Sequence, residues 1–279
     1  MILIDNNQVI IANIFSMMKH NNEFDESFLR HMILNTYRMY RKKFKKRYGE
    51  LIICNDSRNS WRKDFFPHYK ANRKKQRDKS DMDWNQIHDI MNQIRAEIEE
   101  VFPYKVLQLQ GAEADDIIAV LCKQYWQAEN IVIVSSDKDF QQLQIFPSVK
   151  QFSPVKRDML ICDNPKSFLF EHIVRGDTSD GIPNALSDDD VFVSDEKRQK
   201  RITKKVLEEA NLEFTSGNIE KWNNWHRNQV LIDFKYIPEK LESDVIEQFN
   251  KEIDISRGKI FPYMIEHRLS NLMDCIEDF

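Results

Sequence analysis

Short apolar runs alternate along the first half of the chain with longer stretches in which apolar residues recur every three or four positions. Three runs have the composition of buried parallel strands, residues 2–4, 51–54 and 131–134, and two further strands are predicted at 105–109 and 150–152. Helical spacing marks residues 28–40 and 87–98. The alternation of strand and helix predicts an α/β fold built on a parallel sheet with right-handed crossovers.

From about residue 165 the strand pattern gives way to helical spacing. A helix is predicted over 165–175, a turn-rich hinge over 176–183, an exposed loop over 184–194 and a basic helix over 196–210. Three consecutive aspartates in the loop, residues 188–190, are not expected to bind metal because no strand or helix end aims them. We therefore expect an α/β core over residues 1–164 and a smaller helical region over residues 165–279.

The composition sets the class of protein. The chain has 279 residues, 41% of them hydrophobic, which suits one large domain or two modest ones. It has no apolar run long enough to span a membrane, its first residues do not resemble a signal peptide, and its 4 cysteines are widely spaced. These features predict a soluble cytoplasmic protein. With only 6 glycines and no glycine-rich phosphate loop, ATP is not an expected substrate.

Positive charge is concentrated in one part of the sequence. The net charge is −4, yet residues 41–79 contain 15 Lys and Arg against 4 Asp and Glu. The second of two basic blocks, residues 62–79, is interleaved with aromatic residues that include Phe65, Phe66 and Tyr69. Such a segment suits a phosphate backbone and unstacked bases. The alternative is a solvated helix face followed by a basic loop.

Acidic residues follow the ends of three predicted strands. Asp5 and Asp56 follow the first two, and the pair Asp137 and Asp139 follows the strand at 131–134. Since the carboxyl ends of parallel strands meet at one edge of a sheet, these side chains are expected to converge. Each aspartate taken alone could instead be a turn residue or a helix N-cap.

Five further acids are expected to join this cluster. Glu113, Asp115 and Asp116 open a predicted helix in greater number than capping requires, and Asp177 and Asp180 flank a tight turn. So many carboxylates would repel one another strongly unless cations neutralise them. A donor set made only of oxygen predicts two Mg²⁺ ions, for which Mn²⁺ can substitute, and argues against Zn²⁺.

Three motifs occur in an order and spacing that point to one family. They are Glu-Ala-Asp-Asp at 113–116, Ser-Ser-Asp-Lys-Asp-Phe at 135–140 and Gly-Asp-x-x-Asp-Gly-Ile-Pro at 176–183. Together they resemble the 5′ nucleases, which include flap endonucleases, the 5′-nuclease domain of bacterial DNA polymerase I and phage 5′→3′ exonucleases. Residues 61–65 and 228–238 are similar to the T-even phage ribonuclease H branch of this family. The resemblance implies a parallel-sheet 5′-nuclease (PIN-like) core with a basic helical arch over about residues 58–80.

The resemblance also implies a role for each matching position. The first, catalytic metal would be held by Asp5, Asp56, Glu113, Asp115 and Asp137, and the second by Asp139, Asp177 and Asp180, with Asp116 as an outer partner. Tyr69-Lys70-Ala71-Asn72-Arg73 matches the arch, so Lys70 and Arg62 are implied to contact the scissile phosphate. A positioned cation suits the charge that develops on a phosphate. Pro67 is expected either to begin or to break the arch helix.

Nucleic-acid contacts are predicted in two basic stretches. They are Arg62, Lys63, Tyr69, Lys70, Arg73 and Lys74 in the arch, and Lys197, Arg198, Arg201 and Lys204 further along the chain. Many relatives follow the acidic turn with a G-x-G loop that binds a monovalent cation and the duplex. Residues 184–187 lack these glycines, so no potassium site is predicted, and duplex contact is expected from the second basic stretch instead.

The resemblance implies a metal-dependent exonuclease, flap endonuclease and ribonuclease H that removes RNA primers and 5′ flaps during lagging-strand replication. Expected substrates are DNA and RNA–DNA hybrids with 5′ ends, flaps or forks. A monomer is expected, in the host cytoplasm if the protein is phage-encoded, with a single-stranded-DNA-binding protein or sliding clamp as partner. The alternatives are a catalytically silent junction-binding protein and a Mg²⁺ phosphatase or phosphotransferase that uses Asp137 and Asp139 alone.

Overall fold

The computed structural model describes residues 1–20, 25–73, 83–216, 222 and 224–279, which belong to two compact units. Unit 1 comprises the described residues of 1–58, 83–161 and 240–279. Unit 2 comprises those of 59–82 and 162–239. Each unit draws on both halves of the chain, and the expected regions over 1–164 and 165–279 stay a prediction.

Unit 1 is built on a six-stranded sheet with the order β3-β2-β1-β4-β5-β6. The strands are β1 Ile2–Asp5, β2 Leu51–Cys54, β3 Lys105–Leu107, β4 Ile131–Val134, β5 Val149–Ser153 and β6 Asp158–Leu160. Neighbouring strands from β3 to β5 pair in parallel, and β6 pairs with β5 in the antiparallel direction. The predicted α/β fold is confirmed. The edge strand β6 was not predicted, because three residues are too few for a strand pattern to be recognised.

The register of the central strands places the acidic residues. Strand β1 lies between β2 and β4, with Asp5 opposite Cys54 and Ile4 opposite Val134. All four residues of each of these three strands are buried, as their continuous apolar composition predicts for central parallel strands. Asp56 and Asp137, which follow β2 and β4 by two and three residues, therefore lie at the same sheet edge as Asp5.

Helices cover the sheet of unit 1. They are Asn6–His20, Glu26–Tyr48, Trp84–Val101, Ala114–Tyr125, Ile260–Glu266 and Ser270–Met273. The helix Glu239–Asn250 also belongs to unit 1, except for Glu239. The helix Glu26–Tyr48 begins where the Asp25 side chain accepts the Phe28 N–H at 2.9 Å, and it ends at Gly49, whose φ is 84°. No helix among the described residues combines the length and apolarity that a membrane span requires.

The described part of unit 2 contains four α-helices. Its helices are Trp61–Phe65, Pro165–Arg175, Lys204–Ser216 and Trp225–Ile232. The helix Pro165–Arg175 is confirmed, with the Asn164 side chain accepting the Ser167 N–H at 3.0 Å. It ends at Gly176, where φ is 67° and an added Cβ would overlap the carbonyl oxygens of Ile182 and Pro183. Glycine is therefore required at this turn.

The basic helix predicted over residues 196–210 is wrong at its start, because the helix is Lys204–Ser216. The backbone before it is bound by side chains instead of by helical hydrogen bonds. The Asn184 side chain donates to the Lys200 carbonyl at 2.5 Å, and the Lys200 N–H donates to the Ser187 hydroxyl at 2.8 Å. The loop predicted to be exposed over 184–194 is exposed only at Asp188 and Asp189, whereas Asn184, Ser187 and Val191 are buried.

The arch predicted over about residues 58–80 is described only as far as residue 73. Lys74, a predicted nucleic-acid contact, lies outside the described residues. The helix Trp61–Phe65 ends at Phe66, whose φ of −135° and ψ of 97° are extended. Such a conformation is the one that Pro67 favours in the residue before it, so Pro67 ends this helix.

Candidate metal centre and phosphate-binding residues

Asp5 is the central acid of unit 1. It ends β1 and is 8% exposed. Its Oδ2 accepts the Ser135 hydroxyl at 3.0 Å, and its Oδ1 accepts the Gln8 N–H at 3.2 Å. Both partners are neutral, so the hydrogen bonds orient the carboxylate without neutralising a negative charge on it.

The pKa of Asp5 is shifted by its burial and by the carboxylates around it. Burial, together with the carboxylates of Asp56 and Asp137, raises the pKa of Asp5 to about 7, against the hydrogen bonds from Gln8 and Ser135 that lower it. Burial also raises the pKa of the Cys54 thiol, and Asp5 and Asp115 add to that rise. The structure thus brings together four acids, Asp5, Asp56, Asp115 and Asp137, from four segments of the chain.

Asp56 fixes the approach of the helix Ala114–Tyr125. Its Oδ1 accepts the Ala114 N–H at 2.7 Å, and its backbone carbonyl accepts the Gln108 side chain at 2.7 Å. Its other carboxylate oxygen accepts the side-chain amide of Asn7, which follows β1. The helix start that carries Glu113 and the acids after it is therefore anchored to the end of β2.

The acids at the start of this helix have different surroundings. Asp116 is fully buried, and its Oδ2 accepts the Glu113 N–H at 2.9 Å, so part of its carboxylate satisfies the helix terminus. The outer position implied for Asp116 stays a prediction. Glu113 is buried and Asp115 half-buried, and their implied roles as ligands stay predictions.

The Ser-Ser-Asp-Lys-Asp segment is ordered by its own hydrogen bonds. Asp137 caps the 3₁₀ helix Lys138–Ile145, with its Oδ1 accepting the Asp139 N–H at 2.9 Å. The Ser135 hydroxyl that binds Asp5 also accepts the Asp137 N–H at 3.1 Å. Buried Gln151 donates to the carbonyls of Ser135 and Asp137 at 3.0 and 2.6 Å. These contacts hold Asp137 in register with Asp5.

The donor set of unit 1 fits a hard divalent cation. Every acid that the structure brings near Asp5 offers carboxylate oxygen, and the ionised form of Asp5 is disfavoured by burial and by its acidic neighbours. A bound divalent cation would remove that penalty, because its positive charge favours the ionised carboxylates that the neighbouring acids disfavour. Mg²⁺ and Mn²⁺ prefer such oxygen ligands.

Asp177 and Asp180 belong to unit 2, and the other seven predicted metal ligands belong to unit 1. Asp177 is buried, and its Oδ1 accepts the N–H and hydroxyl of Ser179 at 2.8 and 2.5 Å and the Asp180 N–H at 3.3 Å. Its Oδ2 lies 3.1 Å from Nε2 of His172. That all nine carboxylates share one crevice stays a prediction.

The sequence analysis assigned no role to His172. The residue is 6% exposed and lies in the last turn of the helix Pro165–Arg175. Its spacing of five residues before Asp177, across a helix end and a glycine, was the available signal. Asn7 and Ser135, which bind Asp56 and Asp5, were missed for a related reason, since amides and hydroxyls beside acids are common in turns.

The predicted phosphate-binding cations are arranged within unit 2. Arg62 is 3% exposed, and its Nε donates to the Leu231 carbonyl at 2.9 Å. Lys70 Nζ lies 3.7 Å from Oδ2 of Asp180. The role of both residues at a scissile phosphate stays a prediction, and burial of Arg62 adds a structural role to it.

Two of the aromatic residues in the basic segment belong to the core. Phe66 and Tyr69 are 4% and 3% exposed and pack with Ile173 and Leu231. Phe66 is therefore unsuited to stack on an unpaired base, contrary to the interpretation of the aromatic pattern. Phe65, at 44% exposed, remains on the surface. A buried ring and an exposed ring have the same sequence signature, so only the fold distinguishes them.

The second basic stretch lies on the surface of unit 2. Lys197, Arg198, Arg201 and Lys204 are all exposed, and of these only Lys204 lies in a helix. Lys197 contacts Asp190 and Asp188 at 2.8 and 3.4 Å. Two of the loop aspartates that were not expected to bind metal thus pair with a predicted nucleic-acid contact.

Arg227 holds the loop that follows the acidic turn. It is 8% exposed, and its guanidinium donates to three backbone carbonyls and two side chains: Pro183, Asn184 and Ser187 carbonyls at 2.6, 3.2 and 3.3 Å, Asp189 Oδ1 at 2.5 Å and Asn228 Oδ1 at 2.9 Å. The carbonyls of the segment that lacks the G-x-G glycines therefore face a fixed positive charge.

We expect Arg227→Lys to lower the free energy of unfolding of unit 2 by about 2–4 kcal/mol, because one ammonium cannot reach these acceptors and leaves buried carbonyls unpaired. The midpoint of urea unfolding, followed by tryptophan fluorescence, measures the loss. Arg175→Lys is the matched control, because its side chain is 43% exposed in an ion pair with Glu171 and the change is expected to cost less than about 0.5 kcal/mol. Equal losses for the two variants would contradict this prediction.

Comparison with known proteins places the chain among nucleases. The family model described as 5′-3′ exonuclease, N-terminal resolvase-like domain, matches residues 1–168, and that described as T4 RNase H, C terminal, matches residues 165–279. Ribonuclease H of Enterobacteria phage T4 is 30% identical over 99% of this chain and 95% of its own length. A 5′-3′ exonuclease of Buchnera aphidicola is 30% identical over 51% of this chain and 50% of its own length.

Solved structures show the same fold. The D15 protein of phage T5, crystallised with metal ions, matches with a TM-score of 0.63 and 16% identity over 88% of this chain and 98% of its own. A complex of the T5 D15 flap endonuclease with DNA and metal ions matches with a TM-score of 0.62 and 17% identity over 95% of this chain and 98% of its own.

Proposed function

Because the chain belongs to the 5′-3′ exonuclease family, we propose that it is a divalent-metal-dependent nuclease that hydrolyses phosphodiester bonds from the 5′ end of a strand. Its activities would be those of a 5′→3′ exonuclease, a flap endonuclease and a ribonuclease H. The near full-length similarity to a phage ribonuclease H supports the last of these.

The observation that carries this proposal is the acid cluster at the carboxyl edge of the sheet. Asp5, Asp56 and Asp137 follow three adjacent parallel strands, and their mutual repulsion contributes to the raised pKa of Asp5. The fold alone does not require several carboxylates close together, because their mutual repulsion lowers stability when no cation is bound. A binding site for divalent cations explains why these carboxylates lie close together.

The acidic residues would bind two divalent cations. Asp5, Asp56, Glu113, Asp115 and Asp137 would hold one cation, and Asp139, Asp177 and Asp180 a second, with Mg²⁺ as the proposed metal. When bound, two such ions supply an activated water and stabilise the leaving oxygen. Ser135 and Gln8 keep the Asp5 carboxylate oriented, and Ser135 and Gln151 keep Asp137 in place, so that the ligands are arranged before substrate arrives.

The cations of unit 2 would bind the substrate. Lys70 and Arg62 would contact the scissile phosphate, and Lys63, Arg73 and Lys74 would contact neighbouring phosphates. The exposed stretch from Lys197 to Lys204 would contact the duplex. Contacts to phosphate are independent of sequence, which suits an enzyme that recognises strand ends and branches.

The biological role that fits these activities is removal of RNA primers and 5′ flaps from duplex DNA during lagging-strand replication. Substrates would be DNA and RNA–DNA hybrids with 5′ ends, flaps or forks. We propose that the protein acts as a monomer in the cytoplasm, with a single-stranded-DNA-binding protein or a sliding clamp as partner.

A cleavage assay tests the proposal. A primer hybrid with a 5′-labelled RNA strand and a duplex with a 5′-labelled flap are each incubated with the protein in Mg²⁺, in Mn²⁺ and in EDTA. We expect short labelled products in either metal and none in EDTA. A single-stranded oligonucleotide of the flap sequence is the control for structure-specific cleavage, and an intact label on both duplexes with metal present would overturn the proposal. Binding without products would instead favour a junction-binding protein.

A further inference from the structure

A chain of buried polar side chains continues the pairing of β1 and β2 past the last residues of the two strands. The sheet register pairs Asp5 with Cys54. The next residue on each strand is an asparagine, and the Asn6 side chain donates to Oδ1 of Asn55 at 2.6 Å. Tyr37, from a helix that covers the sheet, donates its hydroxyl to Oδ1 of Asn6. Side-chain hydrogen bonds thus join the two strands beyond the end of their backbone ladder.

The direction of each hydrogen bond in this chain is fixed by its two ends. At one end the Asn55 side chain lies 3.3 Å from the Leu107 carbonyl of β3, which can only accept, so the Asn55 amide nitrogen must face it. Oδ1 of Asn55 then requires the amide nitrogen of Asn6, whose own Oδ1 is left to face Tyr37. At the other end burial raises the pKa of the Tyr37 phenol, so its hydroxyl is protonated and donates.

All three members of the chain lie in the protein interior. Asn6 and Tyr37 are fully buried, and Asn55 is 3% exposed. Burying an amide or a hydroxyl costs free energy that only complete hydrogen bonding offsets, and an apolar side chain would not carry that cost. A satisfied polar network of this kind specifies one arrangement of the segments that it joins. Here those segments are the ends of β1 and β2, a helix and β3.

Each asparagine is the chain neighbour of a proposed metal ligand. Asn6 follows Asp5, and Asn55 precedes Asp56. The carboxylates of Asp5 and Asp56 repel each other when both are ionised. The chain of neutral side chains opposes that repulsion and adds no charge of its own. A lysine or arginine in its place would compensate the carboxylates and compete with a cation for them.

We propose that Tyr37, Asn6 and Asn55 are positioning residues for the metal centre: they hold Asp5 and Asp56, at the ends of β1 and β2, at the separation that a divalent cation requires. The inference rests on the proposed function, because that function supplies the cation. The three residues act through the two acids and are not ligands themselves.

Tyr37→Phe tests the inference by removing one hydroxyl and keeping the ring. We expect Mn²⁺ to bind about 10-fold more weakly, as measured by EPR, because outer partners of metal ligands contribute about 10–100-fold to affinity. The kcat for the 5′-flap duplex at a subsaturating Mg²⁺ concentration should fall by a similar factor, and a higher Mg²⁺ concentration should restore most of it. The dissociation constant for the duplex in EDTA should stay within about 2-fold of wild type.

Tyr263→Phe is the matched control. Tyr263 is 6% exposed in unit 1, and its hydroxyl donates to Oε2 of Glu97 at 2.7 Å. The control therefore also removes a buried hydroxyl and lowers the free energy of unfolding, but Mn²⁺ affinity and cleavage should stay at their wild-type values. Equal losses of Mn²⁺ affinity in the two variants would overturn the inference in favour of a general loosening of the fold.

A variant with an apolar chain separates positioning from stability. Tyr37→Phe, Asn6→Leu and Asn55→Leu together remove every polar group of the chain, and the Leu107 carbonyl still accepts the backbone N–H of position 55 at 2.9 Å. Stability in urea should return towards wild type, while Mn²⁺ affinity should stay reduced at least about 10-fold. Wild-type Mn²⁺ affinity in this variant or in Tyr37→Phe would overturn the inference, and Tyr37→Phe decides alone if the triple variant does not fold. The proposed function fails separately, if the wild-type protein does not cleave in Mg²⁺.

Discussion

Asp137→Asn is expected to lower the rate of cleavage of a 5′-flap duplex by roughly 10³-fold, because the substitution removes charge that a divalent cation requires without removing the side chain. Asparagine caps helices as well as aspartate does, so the 3₁₀ helix at Lys138–Ile145 should keep its start. The loss would therefore report on metal binding and catalysis rather than on folding. Single-turnover cleavage in Mg²⁺ measures the rate.

Substrate binding should be largely unchanged in the same variant. The dissociation constant for the flap duplex in EDTA, from fluorescence anisotropy, is expected to stay within about 3-fold of wild type, since phosphate contacts come from the cations of unit 2. Asp115→Asn should behave like Asp137→Asn, and Asp163→Asn, a change at an exposed acid, is the control and should cleave at the wild-type rate. Cleavage by both cluster variants at wild-type rates would refute the proposed metal site.

Asp5→Asn is expected to abolish cleavage and yet to stabilise the metal-free protein above neutral pH. Burial and the nearby acids raise the pKa of Asp5 from 3.8 to about 7, so the folded state binds this proton more tightly than the unfolded state does. The wild-type protein therefore loses stability as pH rises from about 4 to about 7, and the loss is complete above that range. By linkage it approaches roughly 4 kcal/mol at pH 8, a penalty that asparagine does not carry.

Urea unfolding in EDTA at pH 5 and pH 8 measures this difference. The stability gain of Asp5→Asn over wild type should be roughly 1.7 kcal/mol at pH 5 and roughly 4 kcal/mol at pH 8. Mg²⁺ should stabilise the wild-type protein at pH 8 but not the variant. Asp278→Asn is the control of opposite sign. Burial favours a higher pKa for Asp278, but hydrogen bonds from Arg38 and Lys42 lower it overall, so this variant should lose stability at pH 8. A pH-independent gain for Asp5→Asn would contradict the prediction.

The sheet and half of the candidate site follow from local sequence patterns. Continuous apolar runs placed β1, β2 and β4 almost to the residue, because central parallel strands are buried on both faces and leave no polar position to confuse the pattern. The acids that follow those runs then converge for a geometric reason, since parallel neighbours end at one edge. Three aspartates at strand ends could therefore be grouped without knowledge of any long-range contact.

The errors arose where side chains replace regular backbone pairing. The basic helix was predicted to begin at residue 196, but Asn184 and Ser187 bind the backbone around Lys200, and the helix begins at Lys204. The sequence near residue 200 does not indicate hydrogen-bond partners that lie more than ten residues earlier in the chain. The edge strand β6 was missed because it is only three residues long, too short to show the period of a strand.

The sequence was enough to predict the α/β sheet and the family and to group the acids that follow the strands, since each depends on periodicity or on motifs that are continuous in the chain. Only the tertiary structure shows which charged side chains are in contact. Asp180 and Arg73 are separated by 107 residues, and Arg227 and Asp189 by 38, yet each pair is in contact. Such pairings depend on the docking of whole segments and on the direction of each side chain, and neither quantity leaves a periodic trace in the order of residues.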